Sequence, residues 1–106
     1  MNNDIAVLNS KSIKKLVCGK EQEIISIVKT AYSLHYEGNT NLPQSVFLHF
    51  AERERERIIA LPSYIKGKKE VAGIKWISSF PNNIEKGIDR ASAMVILNNM
   101  ENGRAF

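Results

Sequence analysis

The sequence predicts an α+β fold, two N-terminal helices packed on a mostly antiparallel sheet, and two changes of texture along the chain carry that expectation. Up to residue 36 the apolar residues recur at spacings of three and four, as on one face of a helix. From Pro43 onward they alternate with polar residues or run in short blocks punctuated by turn residues, as in strands. Four such strand-like stretches follow one another as a meander, and at 106 residues the chain makes one domain at most.

Residues 5–8 (IAVL) form a short apolar stretch expected to be a strand. Asn9 or Ser10 can then cap a helix, because a side-chain oxygen there accepts from free backbone amides of the first turn. This helix runs through Ile13, Leu16 and Val17 and stops at Gly19, which tolerates the left-handed conformation. A longer helix is expected from about Lys20 to Tyr36. Ile24, Val28, Ala31, Tyr32 and His35 mark its buried stripe, widened by Ile25, Ile27 and Leu34. Glu21 and Glu23 suit its positive end, and Gly38 and Asn39 terminate it.

The strand expectations are residues 45–50 (SVFLHF), 57–64 (RIIALPSY), 70–80 (EVAGIKWISSF) and 91–98 (ASAMVILN). Pro62 lacks a backbone donor, so it marks a strand end or an edge. Lys66 to Lys69 reads as a turn, and a loop or short helical turn passes through Glu85 and Gly87. Glu101-Asn102-Gly103 is a turn that calls for a further strand, yet three residues remain, so the sheet is expected to be cut at one edge.

Composition excludes several classes. No apolar run approaches the roughly 20 residues of a membrane span. MNNDIAVLNS lacks a basic stretch leading into an apolar one, so no secretion signal is read there. One cysteine, Cys18, allows no disulfide within the chain and no cysteine-cluster metal site; it reads as a small apolar residue at a helix end. The cytoplasm is the expected compartment. His35 has no second histidine, cysteine or carboxylate spaced with it for a metal, and reads as an interface histidine. The net charge of +4 invites a nucleic-acid reading, but residues 52–57 (ERERER) alternate in sign and cancel at a distance. Only Lys66, Lys68 and Lys69 form an uncompensated basic cluster. No nucleic-acid or membrane partner is expected.

The residue with the most chemistry is Lys75. On a strand the odd positions Val71, Gly73, Lys75 and Ile77 share one face. A lysine among apolar neighbours either snorkels to solvent or holds an anion, since an uncompensated ammonium in a desolvated setting costs several kcal/mol, by order of magnitude. Gly73 would leave room beside it for a small ligand. Periodicity alone leaves both alternatives open.

The stretch VAGIKWISSFPNN, a small-residue strand after it, and Met100-Glu101-Asn102-Gly103 together resemble the ornithine cyclodeaminase/mu-crystallin family. The resemblance rests on a glycine and lysine on one strand, a Pro-x-Asn six residues after the lysine, and an acidic-x-Gly turn. Lys75, Pro81, Asn83 and Gly103 fall at matching positions. The wording ERIIALPSY, GIKWISSFPNNIEKGIDRASA and ILNNMENGR is closest to the branch that makes 2,3-diaminopropionate precursors for siderophores by an NAD-dependent step on an amino-acid conjugate with glutamate.

The resemblance implies that Lys75 binds a substrate carboxylate and that Asn83 and Pro81 shape a loop leading past the site. Arg90 falls near a position that touches the cofactor in the family, with a different residue type, and could instead meet a second substrate carboxylate. A family arginine just after Pro43 is replaced by Gln44 and Ser45, which speaks against ornithine as substrate. The resemblance further implies a homodimer through the sheet, an amino-acid substrate, and NAD bound by a Rossmann domain. The glycines, at 19, 38, 67, 73, 87 and 103, include no G-x-G pair, so no dinucleotide-binding loop can be written in residues 1–106. The expectation is therefore a single incomplete substrate-binding and dimerisation domain, the N-terminal fragment of an NAD-dependent dehydrogenase or cyclodeaminase-like enzyme. It would have no catalytic residue, cofactor or metal of its own and be inactive alone. Two other readings stay open: a non-catalytic anion-binding or dimerisation module using Lys75, and a small basic nucleic-acid binder.

Overall fold

The computed structural model describes residues 4–106; the first three residues of the MNNDIAVLNS stretch lie outside them. Two helices, α1 (Ser10–Val17) and α2 (Glu21–Tyr36), precede five strands: β1 (Thr40–Asn41), β2 (Val46–Phe50), β3 (Arg53–Lys66), β4 (Glu70–Ser79) and β5 (Ala91–Asn98). A 3₁₀ helix, Pro81–Lys86, joins β4 to β5. The class is α+β, as the sequence predicts.

Local chemistry accounts for most boundaries. The Asn9 side chain accepts from the Ser12 amide at 2.9 Å and caps α1. Gly19 takes a positive φ of 75° between the helices. At the end of α2 the amides of Glu37, Gly38 and Asn39 turn back onto the carbonyls of Ser33, His35 and Leu34. Pro81 opens the 3₁₀ helix, and Gly87, left-handed, closes it.

Two expectations are corrected and two are narrowed. Residues 5–8 form no strand; no neighbouring strand pairs with them. The run 52–57, whose alternating charge suits a solvated loop or a strand edge, is a loop only at its start: after a turn at Ala51 and Glu52, β3 already begins at Arg53, because Phe50 pairs with Arg53 and closes the β2–β3 hairpin. Pro62 lies inside β3, so of the two alternatives the strand end fails and the edge holds. The proline is accommodated because β2 reaches only to Ala60 and β1 begins at Tyr64, which leaves 61–63 without a partner on that side. The α2 stripe is not buried: Ile24, Val28 and Tyr32 are exposed, and only Ala31 and Leu34 are partly covered. The helix meets the sheet through its C-terminal end. Leu34 lies against Gly67 at the β3–β4 turn, and His35 Nδ1 is 2.6 Å from Thr40 Oγ1.

All pairings are antiparallel, in the order β1-β3-β4-β5 with β2 also on β3. The register sorts side chains onto two faces. One carries Leu61, Lys75 and Val95 in a row, then Ser63, Gly73 and Leu97, and Ile59, Ile77 and Ala93. The other carries Ala60, Trp76 and Met94, and Pro62, Ile74 and Ile96.

Among the described residues no hydrophobic side chain is buried. The radius of gyration is 16.5 Å, against about 13 Å for a compact domain of this length. The accessible surface is 9325 Å², against roughly 6000 Å² for a folded monomer of this mass. The sheet is an open layer with both faces largely uncovered.

Gly73 is fixed by backbone packing. A Cβ there would collide with the Ile96 carbonyl oxygen and press on Leu97 Cδ2, so the space beside Lys75 that the missing side chain leaves is taken by β5. Gly73→Ala is therefore expected to loosen the β4–β5 pairing and cost about 2 kcal/mol, the scale of an overpacked site. The urea midpoint checks this; an unchanged midpoint would mean that β5 shifts without penalty.

Candidate functional site

The face of the sheet that carries Lys75 is the place to look for binding chemistry. Cross-strand pairing sets Leu61 on one side of Lys75 and Val95 on the other, with Gly73 and Ile77 before and after it along β4. The lysine is exposed in this chain. It lines a shallow hollow of about 130 Å³ whose walls include Leu61, Ser63, Val71 and Leu97. An ammonium on a greasy floor is poorly solvated from below and open from above. Such an arrangement can accept an acidic group approaching along the face.

Four residues further along β4, about 13 Å at the usual strand rise, Ser79 shares this face. It is the one buried side chain among the described residues, at 5% exposure. Its hydroxyl accepts from Arg90 Nη1 at 2.8 Å, which brings the Arg90 guanidinium onto the Lys75 face. Arg57 stands opposite Ser79 on β3 and places its guanidinium carbon 6.0 Å from the centre of the Phe47 ring. His49 pairs with Arg57 and stacks on Phe47 at 6.1 Å.

Asn83 contributes from the 3₁₀ helix that follows β4. Its side-chain amide donates to the Asp89 carbonyl at 3.2 Å, and its own carbonyl accepts from Ile88 at 3.0 Å. Phe80 donates to the Arg90 carbonyl at 2.8 Å. These bonds fix the turn that delivers Arg90. The structure thus joins Asn83 and Arg90 into one unit at the end of β4 and sets Lys75 apart from it on the same face. Neither Ser79 nor Arg57 was among the residues singled out in the sequence. The signal for Ser79 was present, since it continues the odd-numbered face of Lys75 by two steps. Arg57 could be found only by aligning two strands.

Among the described residues no strand leads through a glycine-rich loop into an α-helix. Gly19 precedes α2 but follows α1, where a phosphate-binding loop needs a strand before it, and Gly87 and Gly103 close turns leading into strand backbone. Among the described residues no group of three or more histidine, cysteine, aspartate or glutamate side chains could hold a metal ion. No helix there is long and apolar enough to cross a membrane.

Comparison with known proteins sets this face in context. The chain is 31% identical over 97 residues to an alanine dehydrogenase of Archaeoglobus fulgidus, covering 92% of this chain and 28% of that protein. It is 32% identical over 109 residues to the N-((2S)-2-amino-2-carboxyethyl)-L-glutamate dehydrogenase of Staphylococcus aureus, covering 95% and 31%. A solved archaeal alanine dehydrogenase dimer with bound NAD superposes with a TM-score of 0.81 at 30% identity, over 94% of this chain and 29% of that one. The chain thus spans less than a third of the length of each. A model of the ornithine cyclodeaminase/mu-crystallin family matches residues 4–106, and the chain belongs to that family.

Proposed function

We propose that this chain is the substrate-gripping and dimer-forming portion of an NAD-dependent amino-acid dehydrogenase or cyclodeaminase-like enzyme. The Lys75 ammonium holds the substrate carboxylate, and a domain outside these residues holds the dinucleotide. The observation that carries the reading is the setting of Lys75 between Leu61 and Val95 beside a shallow hollow of about 130 Å³. A carboxylate there gains a charge-assisted hydrogen bond over a floor that offers its carbon skeleton apolar contact. Asn83 positions the turn that carries Arg90, and Arg90 faces the same ligand. The chain supplies orientation alone; oxidation belongs to the nicotinamide, which takes up hydride when bound.

Within this reading the enzyme is cytoplasmic and its substrate is an amino-acid conjugate with glutamate, on the way to 2,3-diaminopropionate for a siderophore. The Staphylococcus aureus relative, named for an N-substituted glutamate, supports this. So do Gln44 and Ser45, which stand where an arginine for ornithine's carboxylate would be expected.

The homodimer rests on surface area. The excess of exposed surface over a compact monomer is comparable to a substantial protein interface. The face with Trp76, Met94 and Ile96, turned away from Lys75, supplies the apolar patch.

Two experiments test these claims. In the enzyme complete with its dinucleotide-binding domain, Lys75→Ala is expected to raise KM steeply or abolish turnover, at a cost of about 2–5 kcal/mol. Steady-state kinetics equal to wild type would make Lys75 a solvated lysine. Light scattering should give the mass of two copies, and Met94→Arg should shift it toward one. A chain that is monomeric at every concentration removes the dimer.

A further inference from the structure

We infer that the outer edge of β5 is a strand acceptor: it takes an extended segment of a separate polypeptide, antiparallel to β5 and apolar on both of its faces. The inference goes beyond the Lys75 reading and stands without it.

Backbone parity identifies the free groups. The Arg90 carbonyl accepts from Phe80 at 2.8 Å, so at even positions here the backbone faces β4. The Leu97 carbonyl accepts from Phe106 at 3.2 Å, so at odd positions it faces away. The amides and carbonyls of Ala91, Ala93 and Val95 therefore line the outer edge. Among the described residues no backbone group meets them, since β5 pairs with β4 and, at Asn98, with Ala105. A strand edge in that state is a template for a further strand.

The two edges of the sheet are unlike. On the far side β1 has two residues and β2 has five, and the β2–β3 register shifts between His49 and Phe50. Glu52 in that hairpin takes a positive φ of 65°, beside the charged run 52–57. Short strands, irregular register and charge are the devices that keep an edge from pairing. β5 has none of them: it runs for eight residues in one unbroken register, without proline or charge.

The alignment of the incoming strand is already begun. Asn99 donates to the Arg104 carbonyl at 2.8 Å, Ala105 bridges Asn98, and Phe106 donates to Leu97, all antiparallel to β5. A strand that keeps this alignment starts opposite Ile96 and ends opposite Ala91. Its residues opposite Val95 and Ala93 fall on the Lys75 face, the first of them next in the row of Leu61, Lys75 and Val95. Those opposite Ile96 and Met94 fall on the Trp76 face. Met94 and Val95 are 60% and 61% exposed, so apolar neighbours are favoured on both sides of the sheet. A strand with one charged face does not suit this edge.

Amide hydrogen exchange of the intact chain, read by NMR, tests this with a synthetic probe. The probe is a hexapeptide of valine and isoleucine, with lysines appended for solubility and every second amide N-methylated so that it cannot stack on itself. At saturation the Ala91, Ala93 and Val95 amides should exchange at least about tenfold more slowly, the worth of one hydrogen bond. Ser92 and Met94, already turned to β4, should change little. Ala93→Pro removes an outward donor and leaves the β4 ladder whole, so it should weaken the probe about tenfold. Trp76 fluorescence verifies that the sheet persists, and Ala91→Pro, at the start of β5, repeats the test where it does not. No slowing at saturating probe overturns the inference, as does slowing at even and odd positions alike. Equal binding of a peptide N-methylated at every residue also overturns it, because the grip would then be apolar contact alone. Protection that rises with the chain's own concentration in the absence of probe, and is lost in Ala93→Pro, assigns the edge to a second copy and overturns the separate polypeptide.

Discussion

The antiparallel ladder between β3 and β4 organises everything else in this chain. Ten consecutive residue pairs, from Arg57↔Ser79 to Lys66↔Glu70, lock the two longest strands in one register. A slip of one residue would carry Lys75 to the opposite face and exchange it for Trp76. The ladder also sets which residues meet across strands: Leu61 beside the lysine, Arg57 beside the buried serine. β5 extends the same parity and is held close by the absence of a side chain at Gly73. The placement of Lys75 and Arg57 on the candidate face follows from this one register.

Much of that was legible in the residues. The cap at Asn9, the stops at Gly19 and Gly38, and the strands from Val46, Glu70 and Ala91 are local signals, and local signals survive into the fold. What was not legible depends on neighbours. Pro62 reads as a strand end or an edge because its missing donor forbids a two-sided ladder, and nothing in the sequence tells that the ladder on one side is split between β1 and β2. The α2 stripe promised burial because helical periodicity records that a helix has an apolar face, without recording what covers it. The alternating charges at the start of β3 left loop and strand edge undecided, since exposed strand positions accept arginine and glutamate as readily as loops do. At the site, Lys75 stood out by its apolar company, while Ser79 and Arg90 are eleven residues apart in sequence and meet only through the β4–β5 connection.

The openness of the sheet bears on how a lysine there could work. An ion pair at 4 Å is worth about 1 kcal/mol in bulk water and about 4 kcal/mol where the effective dielectric falls to 20. Lys75 as it stands is exposed, so a carboxylate meeting it would gain little beyond the lower figure. Grip of useful strength requires that water be displaced from the face once the ligand is seated. The apolar residues flanking Lys75 contribute half of that enclosure from below. The other half has to come from a layer laid over the face, because Lys75 is exposed in this chain. An enzyme that closes a second domain over this surface would gain affinity and exclusion of water in the same movement. The division of labour proposed for the chain, with the sheet orienting the substrate and another domain bringing the cofactor, therefore follows from electrostatics as much as from kinship.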